Sequence, residues 1–84
     1  MHVYASATGS FPITPDDNTP VLCDAIYVGV ACATLAIKHS ASSPTVTYKN
    51  VPAGTYLHVH LQEGRVMATG TTVLAAGDLI GMSW

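Results

Sequence analysis

Charge is what this sequence has least of. Three basic and five acidic residues in 84 leave 10% of the chain charged, against about a quarter in an ordinary soluble domain. The net charge of −2 provides no electrostatic footprint for DNA or RNA, which speaks against a nucleic acid partner. Long apolar runs are scarce too. The longest, Ala25 to Ile37, falls short of the roughly 20 residues that span a bilayer, and its Gly29 and β-branched residues suit strands. No membrane partner is expected. The opening Met-His-Val-Tyr-Ala-Ser has neither a basic n-region nor an apolar h-region and does not read as a secretory signal. Cysteine is limited to Cys23 and Cys32. With the stretch between them extended at about 3.3 Å per residue, they lie beyond the roughly 7 Å Cα limit of a disulfide. Free thiols follow, as suits a protein made and assembled in a reducing cytosol; a sharp bend at Gly29 is what would bring the two together.

What the chain does have is apolar surface: 49% of its residues are hydrophobic. A domain this short builds only a modest core, so the excess points to surface buried against other subunits or a larger assembly. The plainer alternative is a monomer with a Ser/Thr-rich coat.

Along the chain the period is two, and no stretch carries a convincing helical period. Phe11-Pro-Ile-Thr-Pro15 is extended by its prolines, and Asp16-Asp-Asn-Thr-Pro20 is a concentrated turn signal. Strands are expected over Val21–Val30, Ala33–His39, Thr45–Lys49 and Asp78–Trp84. The centre is Val51-Pro-Ala-Gly54, a tight turn, leading into Thr55–Leu61 with Leu57, Val59 and Leu61 on a dry face and Tyr56, His58 and His60 on the other. Gln62-Glu-Gly64 is expected to reverse that strand so that Arg65–Thr69 returns beside it as a hairpin. The expected fold is all-β, a small single-domain sandwich or barrel of about six or seven short antiparallel strands. Residues 1–20 are expected as an extended N-terminal arm and 21–84 as the β-domain.

No catalytic constellation emerges. His58 and His60 stand at i, i+2 on one face, a spacing that can chelate a metal, but no third ligand accompanies them. There is no Gly-x-Ser-x-Gly elbow, and Gly70-Thr-Thr72 lacks the lysine and helix of a phosphate loop. Neither an enzyme nor a cofactor is expected. Tyr27, Tyr48, Tyr56 and Trp84 suit either a sugar-binding surface or, more commonly, strand packing and interface anchoring. Arg65 reads equally as a charged anchor, with Asp78 or a partner acid opposite it, or as a solvated hairpin flank.

Thr14-Pro-Asp-Asp17 ahead of Ala25-Ile-Tyr-Val-Gly29, then Val46-Thr-Tyr-Lys-Asn-Val-Pro-Ala-Gly-Thr55, then Arg65-Val-Met-Ala-Thr-Gly-Thr-Thr72 and an apolar C-terminus closing on Trp84 resemble the head spike base proteins of tailed phages and phage-derived gene transfer agents. The resemblance covers about residues 12–84. The chain departs from that pattern after Gly29, where Val30-Ala-Cys-Ala-Thr-Leu35 replaces a glycine-aspartate turn, and in its His58/His60 pair. The resemblance implies a non-enzymatic structural protein on the capsid exterior of a virion, a symmetric homo-oligomer supporting spikes or fibres. Its partners would be the major capsid protein and a spike or fibre protein. The alternatives are a capsid cement (decoration) protein and, more remotely, a glycan-binding module. Candidate interface residues are Phe11, Ile13, Tyr27 and Tyr56, together with His58, His60, Arg65 and Trp84.

Overall fold

Short alternating segments separated by turn residues can bury their dry sides only by stacking sheet on sheet. A computed structural model describes residues 9–75 and 77–84 and shows that arrangement. Eight strands occur among the described residues: β1 (Gly9–Ile13), β2 (Val21–Cys23), β3 (Ala25–Val28), β4 (Cys32–Lys38), β5 (Thr45–Val51), β6 (Thr55–Leu57), β7 (Leu61–Val66) and β8 (Leu79–Ser83). They form two four-stranded sheets, ordered β1-β8-β3-β6 and β2-β7-β4-β5, with antiparallel pairing throughout. The fold is a β-sandwich. Ile26, Val28 and Leu79 from one sheet meet Leu35, Ile37, Leu61 and Val66 from the other, all of them buried. Each such aliphatic side chain adds roughly 1.5–3 kcal/mol by leaving water.

Only β4 and β5 are joined as neighbours within a sheet; every other connection carries the chain from one sheet to the other. This overturns the expected central hairpin. Thr55–Leu61 is not one strand: β6 ends at Leu57 in the first sheet, and β7 begins at Leu61 in the second. Alternation specifies which side of a strand is dry, but both sheets present their dry side to the same core, so a chain can change sheets without breaking the pattern. Val59, between the two pieces, stays buried while His58 and His60 are exposed.

Gln62-Glu-Gly64 is likewise no turn. It lies inside β7, where Val21↔Gly64 and Cys23↔Leu61 leave one extra residue on β7 opposite β2. That is a β-bulge, with Glu63 at φ 58°. Val21–Val30 also divides, at Asp24, into β2 and β3 in opposite sheets. The Pro52–Gly54 turn forms as expected: Gly54 has φ 86°, and its amide donates to the Val28 carbonyl at 2.7 Å.

Of the segment expected as an arm, residues 9–13 form β1, zipped to β8 from Gly9↔Ser83 to Ile13↔Leu79. Residues 1–8 of that arm lie outside the described residues. Cys23 and Cys32 are free and buried, although the chain does bend over Gly29–Ala31 to change sheets. Burial raises both thiols above their ordinary pKa, with the Asp24 charge adding to the effect at Cys23 and that of Asp78 at Cys32.

Candidate assembly interface

Two clasps fix the surface on which the candidate residues stand. The first is at the sheet-crossing corner. Asp24 stands between β2 and β3, and its amide donates to the Met82 carbonyl at 2.8 Å. Its carboxylate accepts from His60 Nδ1 at 3.0 Å and from the Trp84 amide at 3.1 Å. The Trp84 amide foremost, and then the His60 ring, hold the Asp24 carboxyl below the usual carboxylate range. One acid thus ties together two sheet crossings and the end of β8.

The second clasp joins the 16–18 turn to the segment after β7. The Asp16 amide donates to the Val66 carbonyl at 2.9 Å. Asp17 accepts from the Thr69 hydroxyl at 2.5 Å and from the Thr69 amide at 2.9 Å; the hydroxyl first, then the amide, lowers its pKa. Beyond Gly70 the chain returns to β4, where the Thr71 hydroxyl accepts from the Ala36 amide at 2.9 Å and the Thr72 hydroxyl from the Thr34 amide at 3.2 Å. Threonine side chains here satisfy strand amides that a further strand would otherwise cover.

On this frame the outward row of the first sheet runs Pro12–Ile80–Tyr27–Tyr56, one residue from each strand at matching register. The Tyr27 and Tyr56 rings pack tilted, with centroids 5.0 Å apart, and Tyr56 keeps 54% of its surface exposed. Phe11 lies over Gly81, where an added Cβ would come within 2.6 Å of Phe11 Cζ. Ile13 is a core residue, 2% exposed, and so is unavailable to a partner as long as the sandwich is closed. Trp84 and His60 meet at the Asp24 corner, His58 is exposed beside it in sequence, and Arg65 lies on the other sheet. Arg65 does not pair with Asp78. Its Nη1 donates to the Glu63 carbonyl at 2.9 Å, while Asp78 caps the Ala75 amide at 2.7 Å.

The four aromatic residues considered for sugar do not converge. Tyr48 packs against the core from the second sheet, and Trp84 stands four residues along β8 from Ile80, the partner of Tyr27, or roughly 13 Å. The residues that sequence reasoning passed over are Asp17, Asp24 and Thr69. A lone charge in the apolar Val21–Val30 stretch is the one local signal at Asp24, and nothing local pairs Asp17 with Thr69.

Neither a family model nor a curated protein matches this sequence. Among solved structures, a chain from the capsid of a native GTA (gene transfer agent) particle, computed with C5 symmetry, has the same fold with a TM-score of 0.66. It is 30% identical, over 98% of this chain and 93% of its own length. The chain belongs to the family of that capsid protein. Similarity at this level over essentially the whole sandwich supports a structural virion role. The family-like segments are largely the scaffold itself: Thr14–Asp17 grips Arg65–Thr72 through the Asp17 clasp, and Ala25–Gly29 supplies β3.

Proposed function

We propose that the protein is a head spike base or vertex component, a symmetric homo-oligomer on the capsid exterior that supports a spike or fibre. The observation that carries this is the match, across nearly the full length of both chains, to a chain of a GTA capsid. The surface supports it too. Tyr56, Trp84, Leu22 and Val73 stay well exposed in an already sparsely charged chain, as befits surface that is covered on assembly. Phe11, Tyr27, Tyr56 and Trp84 are its apolar anchors, and His58, His60 and Arg65 its polar ones. Quantitative mass spectrometry of purified particles tests the position. A few tens of copies per particle fit vertices or tail attachment, whereas hundreds would replace this reading with that of a cement protein spread over the shell.

A further inference from the structure

Charge is divided unequally between the two sheets. β1, β3, β6 and β8 contain no Asp, Glu, Lys, Arg or His, whereas all three basic residues, Lys38, Lys49 and Arg65, belong to the strands of the other sheet. Lys38 and Arg65 are direct partners across β4 and β7. Their neighbours Ile37 and Val66 point into the core, so alternation turns both cations outward. Lys49 pairs with Thr34, which shares the outward face of β4 with Lys38; it stands about 13 Å along β5 from Thr45, the partner of Lys38. Thr45 and Thr47 place hydroxyls on the same face.

Like charges directly opposed across a ladder work against the sheet. No acid neutralises these three among the described residues, where the ion pair formed is His60 with Asp24. A second copy is a poor source of the missing acids, because four of its five carboxylates already hold contacts of their own fold and are oriented by them. Asp16 holds the Asn18 amide, Asp17 holds Thr69, Asp24 holds His60 and Trp84, and Asp78 holds the Ala75 amide. Glu63 is the acid whose carboxylate has no such structural contact among the described residues, one for three cations. A polyanion such as DNA fits poorly, because three cations on a chain of net charge −2 neutralise few phosphates.

We infer that the outer face of the β2-β7-β4-β5 sheet docks on an acidic surface of a different protein of the particle, whose Asp and Glu side chains neutralise Lys38, Arg65 and Lys49. This rests on the assembly role proposed above and adds the face and chemistry of the contact. The charge-free sheet is left for other contacts.

The test uses particles from cells lacking this chain, incubated with purified full-length protein and pelleted. Wild-type binding should weaken as salt rises, and a Lys38→Gln/Arg65→Gln variant should bind about tenfold or more weakly while melting at the same or a higher temperature. Lys49→Gln, on an exposed edge strand, is the second variant and should lose part of the binding without touching the Lys38–Arg65 ladder. Equal binding by the wild type and both variants at every salt concentration would overturn the inference and leave the assembly role standing. If the wild type does not bind particles at all, both fail. Salt-sensitive binding of a duplex DNA probe, lost in the variants and unaccompanied by particle binding, would overturn the inference in favour of a polyanion site.

Discussion

The His60 imidazole donates from Nδ1 to the Asp24 carboxylate across 3.0 Å, tying together two points where the chain leaves one sheet for the other. Two sheets that share so many crossings but few hydrogen bonds need such ties at their corners. The Asp24 clasp is one, and the Asp17–Thr69 clasp is the other.

Both carboxyls titrate below the usual range, which fixes the sign of the acid response. A carboxyl whose folded pKa lies under its unfolded value of about 3.9 adds stability that is present above that value and lost as pH falls through the folded one. Thermal melts should therefore show falling stability below about pH 4, and Asp17→Asn and Asp24→Asn should each flatten that fall while melting earlier than the wild type at neutral pH. Melts that superpose for wild type and variants across this range would rule out the clasps as contributors.

Gly64 sits where a side chain has no room. A Cβ there would strike the Lys38 carbonyl and come within 2.7 Å of the His39 carbonyl. Gly64→Ala should lower the urea midpoint by an amount corresponding to about 1–3 kcal/mol, the usual penalty for overpacking. An unchanged midpoint would mean that the β7 bulge yields freely.

β1 is held to the sandwich by its ladder with β8, by the Phe11 ring over Gly81 and by Ile13 in the core. Phe11→Ala should speed amide exchange over residues 9–13 more than in β3 or β8, since edge elements open before the core. Uniform acceleration across both sheets would indicate instead that β1 and the rest of the sandwich form one cooperative unit.

Cys23 and Cys32 are buried thiols with raised pKa values, and the thiolate is the reactive form. Ellman's reagent should find neither in the folded protein at pH 8 and both after addition of denaturant. Rapid reaction of the native protein would contradict the burial.

The all-β class was legible because period-two alternation and turn residues survive whatever sheet a strand joins. Sheet membership was not. Leu57, Val59 and Leu61 alternate as one strand would, yet Leu57 belongs to one sheet and Leu61 to the other, because a shared core asks the same pattern of both. The Pro52–Gly54 turn was readable from local chemistry, as was the wet side carrying His58 and His60. The clasps were not, since Asp17 and Thr69 are far apart in sequence and meet only in the folded sandwich. Ile13 shows the limit for surface residues: a single isoleucine in a proline-extended segment reads as part of an arm open to a partner, and only its register opposite Leu79 reveals it as core.

The most direct test of the capsid role is a localised cryo-EM reconstruction of native particles made with and without this chain. Density on the outside of the shell that fits the two four-stranded sheets, and that vanishes from particles made without the chain, is the expected result. Identical maps from the two preparations, with the chain recovered only in the unassembled fraction, would contradict it.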